Sequence, residues 1–106
     1  MLQYLAQGAN MAIEDAVCLA DKLVAANGDY AAAFRAYQQA RYLRTGRVQI
    51  MARVYGEFFH AGGVAKELRN MMLGARTVED HIAGVEWLYG EQKELRGSNP
   101  RPRSVA

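Results

Sequence analysis

Gly8, Ala9 and Asn10, with Glu14 and Asp15 a turn further on, form the pattern in this chain best suited to chemistry. The apolar residues around and after them predict a helix that opens at Gly8. The first N–H groups of a helix have no intrahelical partner, and the aligned peptide dipoles place partial positive charge there. Such an end suits an anion or an electron-rich carbonyl. A glycine at that point lets a flat ligand approach the backbone, because no Cβ stands in the way. Asn10 also has a plainer reading, as the N-cap of an ordinary helix. Glu14 and Asp15 are read as structural, through the helix dipole or an ion pair with a packed arginine. No catalytic residue is assigned.

Other reactive side chains point to structure more than to chemistry. Arg41 and Arg44 sit one turn apart, and pairing with Glu14 or Asp15 is the expected role. A substrate carboxylate or a lipid phosphate is the minor alternative. His60 and His81 lack metal-ligand spacing and are read as surface or capping residues. Cys18 is the only cysteine. One thiol excludes an internal disulfide and a cysteine-based zinc site, and no metal is expected. Its setting, Ala16-Val17-Cys18-Leu19-Ala20, reads as a small buried hydrophobe.

The elements that must position these residues are helical. An extended loop is expected over 1–7 and a helix over 8–26. Ala12, Ala16, Leu19 and Leu23 form one apolar stripe of that helix. Ile13, Val17, Ala20 and Val24 form a second beside it, and Glu14, Cys18, Asp21 and Lys22 make a narrower polar face. An apolar arc so wide predicts a helix buried on two sides. Asn27 and Gly28 suit a left-handed C-cap, and Asp29 the next N-cap. A long helix follows to Phe59, with Phe34, Tyr37, Arg41, Arg44, Val48, Met51, Tyr55 and Phe58 on one face. Unbroken, it would span about 40–45 Å. That exceeds the roughly 25–30 Å of a compact domain this size, so it needs a larger body or a second copy to lie against. Gly46 and Gly56 each weaken it by roughly 1 kcal/mol relative to alanine.

After a hinge at Ala61-Gly62-Gly63, a shorter helix is expected to about Met72, with Val64, Leu68, Met71 and Met72 inward. Thr77-Val78-Glu79-Asp80 resembles a capping box with Asp at its last position. It opens a last helix to Tyr89 that turns Ile82, Val85, Leu88 and Tyr89 inward. Residues 91–106 read as a flexible polar tail. No strand-like alternation of any length occurs. The fold class is therefore all-α: four helices, one long and central, over residues 1–90.

Composition bounds the function. The 106 residues are 51% hydrophobic and 23% charged with a net charge of +2, which describes one folded domain. Arg35, Arg41, Arg44, Arg47 and Arg53 share the long helix, yet the balance does not make a nucleic-acid binder. No apolar run is long enough for a transmembrane helix, and no signal peptide is read. The lone thiol fits a cytoplasmic setting.

From Leu2 to about Tyr89 the chain resembles the C-terminal part of FAD-dependent aromatic-ring hydroxylases, the single-component flavoprotein monooxygenases. Gly8, Asn10, Glu14, Asp15 and Ala16 match the family pattern Gly-x-Asn-x-x-x-Glu-Asp-Ala. Leu2-Gln3-Tyr4-Leu5-Ala6-Gln7-Gly8, the series Tyr37, Arg41, Arg44, and Trp87-Leu88-Tyr89 look most like the 3-hydroxybenzoate 6-hydroxylase branch, with salicylate hydroxylases close by. The resemblance implies that Gly8, Ala9 and Asn10 present backbone N–H groups to the flavin. It places the Gln3–Tyr4 loop between flavin and aromatic acid, and an amide both donates and accepts, so Gln3 is the substrate-binding candidate. It implies FAD as cofactor, NADH and O2 as co-substrates, and conversion of 3-hydroxybenzoate to gentisate.

The departures are equally informative. The chain has no Gly-x-Gly-x-x-Gly strand-turn-helix, which a dinucleotide site requires, and no strands for a substrate sheet. It is expected to be a fragment of a larger α/β flavoprotein, inactive alone, that self-associates as a homo-oligomer such as a dimer to cover its apolar faces. The alternative is a non-catalytic helical oligomerisation or interaction module.

Overall fold

A computed structural model describes residues 2–90. A 3-10 turn, Gln3–Leu5, precedes four helices: α1 Gly8–Ala25, α2 Tyr30–Phe59, α3 Gly63–Gly74 and α4 Val78–Tyr89. The described residues contain no strand. The all-α class, the four helices and the long second one are as the periodicity predicts. The 3-10 turn replaces the extended entry expected there. The tail expected over 91–106 lies outside the described residues.

Local chemistry sets the boundaries. Asn27 and Gly28 both take positive φ, 45° and 99°, and close α1. Asp29 opens α2 by accepting the Ala32 N–H at 2.9 Å. Gly46 and Gly56 leave α2 unbroken over its 30 residues. At its end, Arg69 Nη1 donates to the carbonyls of Phe58 and Phe59 at 2.9 and 3.2 Å, which have no intrahelical donor. Thr77 and Asp80 form the expected capping box, with Asp80 N–H donating to Thr77 Oγ1 and Thr77 N–H to Asp80 Oδ2. These bonds hold the Asp80 carboxyl below its usual range.

The described residues fall into two compact units. One, residues 8–45, pairs α1 with the first half of α2. Its buried residues are Met11, Cys18, Ala33 and Arg41. Here α1 corrects the expectation. The face carrying Glu14 and Cys18 turns towards α2, and the stripe of Ile13, Val17 and Val24 faces outwards, with Ile13 63% exposed. The reason is that α2 offers arginines at the contact, and they take up the carboxylates of α1.

The other unit, residues 2–7 with 46–90, holds the 3-10 turn, the second half of α2, α3 and α4. Leu5, Val48, Ala52 and Leu88 are its buried apolar residues. On α2 the inward stripe is close to that expected, except that Phe34 is exposed while Ala33 and Ala52 are buried. α3 buries nothing. Val64, Leu68, Met71 and Met72, expected inward, are all exposed, as are Ile82 and Tyr89 of α4.

Candidate functional site

The start of α1 is held by one buried arginine. Arg41 is 3% exposed. Its Nε donates to Asp15 Oδ1 at 2.6 Å and its Nη2 lies 2.9 Å from Glu14 Oε2. The same Nη2 approaches Met11 Sδ at 3.7 Å. Arg44 adds a two-pronged pair to Glu14, with Nη2 to Oε1 at 2.9 Å and Nε to Oε2 at 3.2 Å. Two acids and two bases thus cancel in charge. Helical spacing explains the convergence: Met11, Glu14, Asp15 and Cys18 lie on one face of α1, and 37, 41 and 44 on one face of α2. A guanidinium fork serves two neighbouring carboxylates at once, which an ammonium cannot do in fixed geometry.

Ionisation follows from this packing. Burial pushes the Glu14 carboxyl up, but the hydrogen bonds and charges of Arg44 and Arg41 outweigh it, leaving it below its usual 4.5. Burial pulls Arg41 down, but its bonds to Asp15 and Glu14 dominate and hold its proton more tightly than usual. Burial raises the Tyr37 hydroxyl above 10.0, and the Asp15 charge adds to that. Glu14 and Asp15 therefore have structural duties, as their spacing indicates.

Gly8, Ala9 and Asn10 are exposed in the first turn of α1. The helix begins at Gly8, so Asn10 lies inside it and is not its N-cap. A Cβ built on Gly8 would meet no atom of the chain within 4 Å, and its φ is not positive. Neither backbone conformation nor packing among the described residues requires glycine there.

Gln3 belongs to the other unit, and is exposed. Its turn is anchored by its neighbours. Leu5 is buried, and the Tyr4 ring packs on the backbone of α2 at Gly56. A Cβ at Gly56 would stand 2.6 Å from Tyr4 Cε2. The Tyr4 ring centroid lies 5.4 Å from His60 and 6.3 Å from Phe59. Tyr55, Phe58 and Phe59 extend this cluster. His60 Nδ1 lies 2.8 Å from the Gly56 carbonyl, which only accepts, so that nitrogen carries a proton. Tyr4 and Leu5 thus anchor the turn, and Gln3 stays exposed. The spacing of the sequence did not reveal the Tyr4–Gly56 contact. Its one signal was a glycine inside a helical pattern, which often marks close packing.

The remaining candidates have structural partners or surface positions. Cys18 is buried and forms no disulfide. Arg47 lies over the Trp87 ring at 4.2 Å, so the arginines of α2 do not form one solvated stripe. His81 is exposed. Among the described residues, no group of three His, Cys, Asp or Glu is placed to hold a metal ion. No described helix is long and apolar enough to cross a membrane.

In sequence the chain is homologous to enzymes named as hydroxylases and monooxygenases of aromatic acids. It is 42% identical over 92 residues, 87% of its length, to 3-hydroxybenzoate 6-hydroxylase of Klebsiella oxytoca. It is 46% identical over 93 residues, again 87% of its length, to 3-hydroxybenzoate 6-hydroxylase 1 of Aquipseudomonas alcaligenes. Identity to 3-amino-4-hydroxybenzoate 2-monooxygenase of Streptomyces platensis is 41% over 100 residues, 92% of the chain. The chain spans only 23–24% of the length of these relatives. No family model matches it, and no solved structure does.

Proposed function

We propose that this chain is one wall of the flavin site of an FAD-dependent aromatic-acid hydroxylase, from the C-terminal part of that enzyme. The observation that carries the reading is the 42–46% identity to 3-hydroxybenzoate 6-hydroxylases over 87% of the chain. Gly8, Ala9 and Asn10 are the residues that would hold the flavin. They fit it: the first turn of α1 is exposed, and Gly8 leaves its side open to a flat ring. The dinucleotide contacts would come from other parts of a longer protein, because this sequence has no Gly-x-Gly-x-x-Gly.

When bound, FAD supplies the redox chemistry, taking a hydride from NADH and activating O2 for transfer of one oxygen atom to the ring. The chain's own contribution is electrostatic and positional. The N–H groups of the first turn stabilise negative charge without reorganising during the reaction. Gln3, held by Tyr4 and Leu5, orients the hydroxyl or carboxylate of the substrate. The net reaction proposed is 3-hydroxybenzoate, NADH, O2 and a proton giving 2,5-dihydroxybenzoate, NAD+ and water. Salicylate to catechol is the rival substrate pair, and NADPH the rival donor.

The test is a chimera in which this chain replaces the matching segment of the Klebsiella oxytoca enzyme. Retention of FAD and formation of 2,5-dihydroxybenzoate would support the reading. A folded chimera without either would remove it. The isolated chain is expected to bind no stoichiometric FAD and to turn nothing over.

A second reading, a self-associating helical module without catalysis, is favoured by the uncovered faces of α3 and α4. An open apolar groove of about 430 Å³, lined by Met51, Val54, Phe58, Leu73 and Val85 among others, adds to them. Sedimentation of the isolated chain separates the outcomes. A discrete homodimer that persists at micromolar concentration favours the module.

A further inference from the structure

We infer that Arg41 is a positioning residue for the flavin-facing end of α1, an inference that rests on the flavin reading above. Arg41 is the only charged residue among those buried in the described structure. It touches three side chains of α1, namely Met11, Glu14 and Asp15, all within the two turns that begin at Gly8. Along the helix axis the carboxylates lie only about 10 Å from Gly8, at 1.5 Å per residue. A small rotation or slide of α1 would therefore re-aim the N–H groups of Gly8, Ala9 and Asn10.

A buried ionic contact is a costly way to join two helices, and an apolar one of the same volume often does as well for stability. What the fork adds is direction. Nε and Nη2 point to different residues of α1, so only one rotation and one register of that helix satisfy both. Arg44 cannot substitute, because its two prongs reach a single carboxylate. The charge count matters as well. With both arginines in place the two acids are neutralised, and the helix end keeps its positive potential. Loss of Arg41 would leave one net negative charge close to the helix end where the flavin would sit.

Cys18 supplies a native reporter. It is buried on the same face of α1, one turn beyond Glu14 and Asp15, and is the only thiol in the chain. Thiol-labelling rates of the chain and its Arg41→Lys and Arg44→Lys variants report how firmly α1 is seated, with helix content followed by circular dichroism. Arg41→Lys keeps the charge and loses the fork. It should speed Cys18 labelling about tenfold at unchanged helix content, and Arg44→Lys should do so less; tenfold corresponds to the loss of one good charged contact.

In the hydroxylase chimera, Arg41→Lys should weaken FAD binding roughly tenfold and shift the visible flavin band. Arg44→Lys should leave the band in place. Wild-type labelling of Cys18 in Arg41→Lys would overturn the inference. So would faster labelling with unchanged FAD affinity and spectrum, which would make Arg41 a structural residue alone. A parent chimera that binds no FAD would overturn the flavin reading itself. The labelling data would then still show whether Arg41 seats α1, so the two failures are distinguishable.

Discussion

The start of α1 and the turn that carries Gln3 solve the same problem by different physics. On the proposed reading, each presents a few exposed polar groups from a fixed backbone. In residues 8–45 the hold is ionic, with Arg41 and Arg44 gripping Glu14 and Asp15. In residues 2–7 and 46–90 it is a ring laid on a helix backbone, Tyr4 against Gly56 with His60 and Phe59 beside it. The ionic hold is directional and depends on protonation. The ring hold depends on shape, and a single methyl group can upset it. The difference teaches that exposure of a candidate site residue says little by itself; what fixes its neighbours decides whether it can serve.

The largest effect should come from the ionic hold. Arg41→Met should destabilise the chain by about 3 kcal/mol in urea unfolding, the low end for breaking a buried pair, because Glu14 and Asp15 retain some water. Arg44→Met, at a less buried position, should cost about 1 kcal/mol. Equal losses would mean that the fork has no special part.

The ring hold makes a prediction of opposite signs on one helix. Gly46→Ala meets nothing within 4 Å and should stabilise α2 by about 1 kcal/mol. Gly56→Ala drives a Cβ into the Tyr4 ring and should cost about 1 kcal/mol net, the overpacking exceeding the gain in helix propensity. Hydrogen exchange at Leu5 should rise in Gly56→Ala and stay unchanged in Gly46→Ala. Stabilisation by both substitutions would show that Tyr4 is not clamped.

Acid should separate the two regions with the smallest perturbation. Glu14 ionises more readily folded than unfolded, so its contribution is present above its ordinary 4.5 and is lost as pH falls through its lower folded value. Below pH 4.5, the protection of Cys18 from labelling, taken relative to the unfolded chain at the same pH because thiol reactivity itself falls with acid, should decrease, while the Tyr4–Gly56 contact involves no carboxylate. A protection of Cys18 that stays constant down to about pH 3 would count against the ionic hold.

Much of this was readable from residue types, and the limits have physical causes. Helix boundaries followed from local chemistry: Asn27 and Gly28 for a left-handed close, Asp29 and Thr77 for caps. The pairing of Arg41 and Arg44 with Glu14 and Asp15 followed from complementary charges at helical spacing. Which face of α1 turns inward did not, because Ile13 and Val17 make the more apolar stripe and yet stay exposed. A hydrophobic pattern tells what a helix is suited to contact, and the partners for that stripe are not among residues 8–45. The same holds for Val64, Leu68 and Met71 on α3. The Tyr4–Gly56 contact was hidden for another reason: it joins positions 52 residues apart with no charge or periodicity to link them.

The most direct test of the flavin role is the FAD content of the chimera carrying Gly8→Val. A Cβ at Gly8 meets nothing of the chain within 4 Å. If Gly8 faces the flavin ring, Gly8→Val should fold normally and lose its FAD, while Gly46→Ala keeps it. Full FAD occupancy in a Gly8→Val chimera would contradict the placement of the flavin against the start of α1.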